Sequence, residues 1–175
     1  MGPQSANNPL QSVSITVTLN SADTEVPYDV EEISGIATFA NGGTEPITGW
    51  EKEDLGTPQS MGSNLFLYVQ DSAYASYPAG TTVLISAWVM TFLPRPGTTQ
   101  PSPMGNRVLS WTQPFGGING LYTLVDPNVQ SGNQNLLKFT GDWDWSLMVQ
   151  MQITDPAGNE TFKTFVSDPE MEMGN

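Results

Sequence analysis

Two stretches of the chain alternate strictly between inward-type and outward-type residues, and this alternation constrains the fold more than any other feature. In residues 13–20 and 145–154 every second side chain is apolar, and Ser, Thr, Asn and Gln occupy most positions between them. A period of two places the apolar side chains on one face of a β-strand. No segment of helical length shows a period of 3.6 residues. The chain is therefore predicted to be all-β.

Shorter apolar runs between Gly, Pro and Asn residues predict further strands. These strands are residues 33–39, 65–69, 81–93, 107–111, 121–125, 136–139 and 161–166. The run 81–93 is apolar on both faces, which is typical of a strand that is covered on both sides. Eight or nine strands joined by such turns predict an antiparallel β-sandwich or barrel with long loops. The long loops are residues 40–64, 71–80, 94–106 and 112–120.

A single β domain is predicted for residues 13–166, because neither side of the proline-rich segment 94–106 has enough strands for two sheets. The polar residues 1–12 predict a linker or arm, and the acidic residues 167–175 predict a flexible tail. No signal peptide is expected at residues 1–5, which form neither a basic nor an apolar segment.

The charge of the chain argues against several classes of partner. Its net charge is −13, from 18 acidic and five basic residues. Nucleic acids and anionic membrane surfaces are bound through clustered Lys and Arg side chains, whereas the five basic residues of this chain are dispersed. No apolar run approaches the roughly 18–20 residues that span a bilayer. Neither nucleic-acid binding nor membrane insertion is predicted.

Missing residue types argue against most catalytic centres. The chain has no Cys and no His, which excludes disulfides, thiolate zinc sites, Cys nucleophiles and a Ser-His-Asp triad. Paired carboxylates can hydrolyse glycosides, but no spacing among the available acidic residues selects a pair; these are Glu31, Glu32, Glu51, Glu53, Asp54, Asp142 and Asp144. The sequence predicts neither an enzyme nor a bound cofactor.

Asp142 and Asp144 are the one candidate for a metal site. An Asp-x-Asp sequence places two carboxylates on one side of an extended segment, and calcium binds oxygen ligands of this type. The longer calcium-loop pattern, with a third acidic residue, a Gly and a final Glu, is missing. The alternative is a solvated pair at the entrance of a strand.

Five aromatic residues in or beside predicted loops are candidate contact residues. Such rings stack against sugars or anchor protein partners. The alternative is that they fold back over the open ends of a sandwich. The candidates are Trp50, Tyr74, Tyr77, Phe115 and Trp143, whereas Trp88, Trp111 and Trp145 lie within strands and are predicted in the core.

Residues 13–166 are polar in composition, have long predicted loops and follow the polar segment 1–12. In these features the chain resembles the protruding (spike) domain of small non-enveloped RNA virus capsids of the nodavirus-like and Lake Sinai virus type. The resemblance implies a domain on the virion surface, or otherwise extracellular, that forms dimers or trimers and attaches to a host-cell receptor or glycan. It assigns no residue a role, because these domains share no binding motif. A carbohydrate-binding or adhesin module of a secreted protein and a phage tail or decoration protein are the alternatives.

Overall fold

The computed structural model describes residues 8–48, 50, 54–59, 62–105, 108–128, 136–167 and 170–174. Within these ranges, twelve strands and one short 3₁₀ turn form two sheets that pack face to face. The predicted all-β sandwich is confirmed, and the barrel alternative is wrong because the sheets do not close on each other.

Each sheet has six strands. Sheet A contains, in spatial order, β4 (Thr44–Ile47), β3 (Glu32–Phe39), β1 (Leu10–Leu19), β5 (Ser63–Asp71) and β8 (Leu121–Val125), with β9 (Leu136–Leu137) also beside β5. Sheet B contains β2 (Tyr28–Asp29), β11 (Glu160–Ser167), β10 (Gly141–Thr154), β6 (Thr82–Pro94) and β7 (Val108–Trp111), with β12 (Glu170–Met173) also beside β10.

The core lies between the sheets and is built from the alternating residues. Val13, Ile15 and Val17 of β1 are buried, as are Trp145 and Leu147 of β10. All five belong to one hydrophobic cluster that contains residues of both sheets. Burying an aliphatic side chain of this size stabilises a fold by about 1.5–3 kcal/mol. The inward faces predicted from the period of two are confirmed.

Two strand pairs are parallel, so the prediction of a purely antiparallel sandwich is wrong. β1 runs parallel to β5, from Ser12 beside Asn64 to Leu19 beside Asp71, and β2 runs parallel to β11. Alternation determines which face of a strand is buried but says nothing about the direction of its neighbour.

Both ends of the described chain are more ordered than predicted. Leu10 starts β1 and is fully buried, so residues 10–12 are not part of an arm; residues 1–7 lie outside the described chain. Residues 170–173 form β12, which pairs with the start of β10. A flexible tail is therefore wrong for these residues, whereas residues 168, 169 and 175 lie outside the description.

The segment 81–93 is covered on one face only, contrary to prediction. Ile85 and Met90 of β6 point inward and are buried. On the outward face, Thr91 is exposed and 66% of Leu93 is exposed. β6 is thus apolar on a face that the described chain leaves uncovered.

We predict that Met173→Ala and Met171→Ala each lower the free energy of unfolding by about 2–5 kcal/mol, because both side chains are buried in the core. Met148→Ala is the matched control, since this methionine is 44% exposed, and it should cost well under half as much. Urea unfolding followed by Trp fluorescence measures all three. Equal losses for Met173→Ala and Met148→Ala would show that β12 is not part of the core.

Candidate functional site

A buried carboxylate organises one end of the sandwich. Asp71 ends β5 and is only 2% exposed. Its Oδ1 accepts hydrogen bonds from the backbone N–H groups of Ser21 and Ala73, both at 3.0 Å, and its Oδ2 accepts one from the Ser21 hydroxyl at 2.7 Å. A buried carboxylate is tolerated only when its oxygens are hydrogen-bonded in this way. The network therefore holds the loops after β1 and β5 together.

Tyr77 extends this network, and Tyr122 makes a separate hydrogen bond within range of the charge of Asp71. The Tyr77 hydroxyl lies 2.8 Å from the Ser21 hydroxyl, and the Tyr122 hydroxyl donates to the carbonyl of Val83 at 2.8 Å, which links sheet A to sheet B. Burial raises the pKa of both phenols, and the charge of Asp71 raises each further, although the Ser21 hydrogen bond partly opposes the rise in the pKa of Tyr77. Both phenols are therefore protonated at neutral pH and act in structural hydrogen bonds.

Three exposed apolar side chains lie above the network: Tyr74 is 46% exposed, Ile118 is 80% exposed and Leu121 is 40% exposed. We call them the Tyr74 patch. Ile118 and Leu121 exchange two backbone hydrogen bonds of 3.0 Å across a two-residue turn. This pairing places both side chains on the same side of the turn.

Gly120 allows the turn between Ile118 and Leu121 to pack closely against Tyr74. Asn119 and Gly120 have φ values of 52° and 78°, as a tight hairpin turn with two positive φ angles requires. A Cβ at Gly120 would lie 2.6 Å from the Cβ of Tyr74, so only glycine allows the close approach. The Asp71 N–H also donates to the Gly120 carbonyl at 2.8 Å. The Tyr74 patch is therefore held on a rigid base.

The five aromatic residues predicted as contacts have different environments. Tyr74 is exposed in the 3₁₀ turn Tyr74–Ser76, and Tyr77 is half-buried beside it. Phe115 is half-buried and pairs with Ile85 of β6 through backbone hydrogen bonds of 2.9 and 3.0 Å. The structure brings Tyr74 and Tyr77 to the same loop but places Phe115 beside β6.

The other two aromatic candidates are packed inward. Trp143 is fully buried within β10, and its indole N–H donates to the carbonyl of Gln100 at 3.0 Å. Half-buried Trp50 donates to the carbonyl of Ile33 at 3.0 Å and packs edge-on against Trp145 at 5.9 Å. Trp143 is thus not a surface contact, and both rings instead cover the core.

The sequence reasoning missed Ile118, Leu121 and the exposure of Trp111. Trp88 and Trp145 are buried as predicted, but Trp111 lies on edge strand β7 and is 49% exposed, so its placement in the core is wrong. An Asn-Gly pair flanked by apolar residues is a strong hairpin signal. This signal at Asn119-Gly120 could have identified the turn that presents Ile118.

Asp142 and Asp144 lie on the outward face of β10, on the same side of the strand as predicted. Asp144 is already neutralised by Arg95, whose Nε and Nη2 both lie 2.9 Å from Oδ1. In the described part of the chain, no three carboxylate, His or Cys side chains are grouped so that they could hold a metal ion. The predicted calcium site therefore has no third carboxylate ligand among these residues.

No protein-family model, curated protein or solved structure matches this chain. Among the described residues, no helix has the length and apolar character needed to cross a membrane. The exposed surface is therefore the feature that bears on function, and the Tyr74 patch is an apolar part of it that is anchored to the Asp71 network.

We predict that stability falls as the pH rises above about 10, because the pKa of Tyr122 is raised from 10.0 by burial. The stabilisation is fully present below the unfolded-state pKa and is lost as the pH rises through the folded-state pKa, by up to about 1.4 kcal/mol per pH unit. Tyr122→Phe should unfold more easily at pH 8, by about 1 kcal/mol, and should show a shallower decline at alkaline pH. Urea unfolding across this pH range measures both slopes. Parallel slopes would contradict the assignment.

Proposed function

We propose that this chain is a non-catalytic structural domain of a virion surface, a capsid protrusion that assembles with its own copies and attaches to a host-cell receptor. One observation carries the proposal. The Tyr74 patch presents an aromatic side chain from the 3₁₀ turn and two aliphatic side chains from the adjoining hairpin turn, and both turns are anchored to the buried Asp71 network.

Rigid anchoring is what makes this patch a good contact surface. An aromatic side chain that is already fixed loses little conformational entropy on binding. Tyr74 is restrained because it lies against Gly120. The Gly120 carbonyl in turn accepts a hydrogen bond from the backbone N–H of Asp71. The few residues that dominate binding energy at interfaces are commonly aromatic side chains of this kind. The patch is therefore suited to enter an apolar pocket on a receptor.

The charge of the domain supports a role in display. A net charge of −13 keeps a domain soluble when many copies are held close together. It also disfavours binding to nucleic acid and to anionic lipid. Attachment through a neutral apolar patch avoids the repulsion that these negative charges would meet at an anionic cell surface.

A carbohydrate-binding module is the second candidate, and the exposed ring of Tyr74 is the observation that favours it. Sugar rings stack on flat aromatic faces, whereas aliphatic side chains such as Ile118 offer no comparable face. The two functions therefore predict different responses to substitution of Tyr74 and Ile118.

We expect Tyr74→Ala and Ile118→Ser each to weaken binding of the labelled chain to cultured insect or vertebrate cells by about tenfold or more, as loss of a central contact residue does. Flow cytometry with the chain displayed on beads measures this binding. Both side chains are exposed, so circular dichroism should show an unchanged fold.

Ile36→Ser is the matched control, because Ile36 is 51% exposed in β3 on the outward face of sheet A, and it should bind like the wild type. Loss of binding in Tyr74→Ala alone, with glycan-array binding by the wild type, would favour the carbohydrate module. Wild-type binding by both patch variants, or no binding to any cell line, would argue against the proposed function.

A further inference from the structure

The outward face of sheet B carries a continuous apolar row across its three central strands. Met148 of β10 lies directly between Val166 of β11 and Val89 of β6. Met148 is 44% exposed and Val166 is 41% exposed, although all three strands are hydrogen-bonded on both sides along this row. This row is the centre of a larger apolar surface.

Further apolar side chains flank the row. Phe162 and Leu84 lie on either side of Gln152, and Val108 of β7 is paired with Thr91 of β6. Phe162 and Val108 are about half exposed. We call six of the outward apolar residues the Met148 face: Leu84, Val89, Val108, Met148, Phe162 and Val166.

The Met148 face is free of charge. The outward residues between its members in this described part of sheet B are Ser, Thr, Gln and Ala. Charged residues begin at its rim, where Glu160 pairs with Thr154 and Asp29 lies beside Val166. At the β12 end of the rim, Asp144 forms an ion pair with Arg95, and Asp142 is the strand partner of Glu172. An apolar centre with a polar rim is the usual anatomy of a protein interface.

We infer that the Met148 face packs against the same face of a second copy of this chain and forms a two-fold dimer. The inference rests on the proposed function and names the surface through which copies assemble. β6 has the composition of a strand covered on both sides, yet only its inward face is covered within the described chain. A second sheet packed on the outside would complete its burial.

Charge limits where a second copy can pack to a face without carboxylates. Two chains of net charge −13 repel each other and can associate closely only where carboxylates do not face carboxylates. The Met148 face meets this requirement, and the rim carboxylate of Asp144 is already paired with Arg95. A basic partner would instead be attracted to the acidic loops. An isologous pair of uncharged faces is therefore the arrangement that this charge distribution permits.

The size of the face predicts a weak dimer. Four strands spaced by about 4.8 Å, over about seven residues of 3.4 Å each, cover roughly 450 Å² in projection. Stable interfaces bury about 800 Å² of accessible surface on each partner, and transient ones bury less. Because side chains project from the sheet, the accessible area of the face is larger than its projected area. We therefore expect exchange between monomer and dimer at micromolar concentration, with stronger association when several copies are held on one particle.

Sedimentation equilibrium of the full chain, from micromolar to millimolar concentration, tests the inference. The wild-type mass should rise from 18.9 kDa toward twice that value. Met148→Glu should weaken dimerisation by about tenfold or more, because two like charges would be buried close together. Ile36→Glu makes a matched change on the outward face of sheet A, where Ile36 is 51% exposed, and should dimerise like the wild type.

A charge-reversal pair tests the two-fold geometry directly. Met148→Glu and Met148→Lys should each be largely monomeric, and a mixture of the two should recover association, because opposite charges then meet across the axis. A wild-type chain that stays monomeric, a mass that rises to three copies, or a mixture that does not associate would each overturn the inference.

Two results separate this inference from the proposed function. The sedimentation experiments contain no receptor, so a monomeric wild type overturns the dimer while leaving the cell-binding experiment unaffected. Ile118→Ser should dimerise normally because Ile118 lies outside the Met148 face. Loss of dimerisation in this variant would show that copies associate through the Tyr74 patch and would overturn the dimer proposed here.

Discussion

Burial of the inward face of each sheet against the other is the interaction on which the rest of this structure depends. β1 and β10 supply much of it, with alternating side chains that are almost completely removed from water. Because alternate residues of a strand point to opposite faces, the same strands must also present an outward face. The ends of the two layers must be closed by other residues, and half-buried Trp50, packed edge-on against Trp145, helps to do so.

Buried polar groups hold one end of the sandwich together, whereas buried apolar side chains hold its middle together. Asp71 connects the loop after β1 to the loop after β5, and Tyr122 connects the two sheets. Lys163 adds a second link between the sheets, because its Nζ donates to the carbonyl of Ser21 at 2.9 Å. An exposed apolar patch that is anchored to such a base has less conformational freedom to lose, which lowers the entropic cost of binding.

The two outward faces differ in ways that suggest different roles. On sheet A, the central strand β1 presents the half-buried polar residues Ser14, Thr16 and Thr18. On sheet B, the central strand β10 presents Met148 between two valines. A patch of this kind is the surface that usually contacts another molecule. One sheet is therefore suited to face solvent and the other to be covered, while the loops at the Tyr74 end remain available for the proposed receptor contact.

The sequence by itself determined the fold class and the buried face of the strongest strands, because a period of two in residues such as Val13, Ile15 and Val17 leaves no other way to remove them from water. The candidate site was only partly predictable. Tyr74 was selected as a loop aromatic, but the turn that carries Ile118 lies more than 40 positions later, and its Gly120 packs against Tyr74 because β8 pairs with β5. Tertiary structure alone decided that Trp143 is buried, that Trp111 is exposed at a sheet edge and that β12 joins the core. Local patterns specify which face of a strand is apolar, whereas the neighbours of that strand depend on pairing between distant segments.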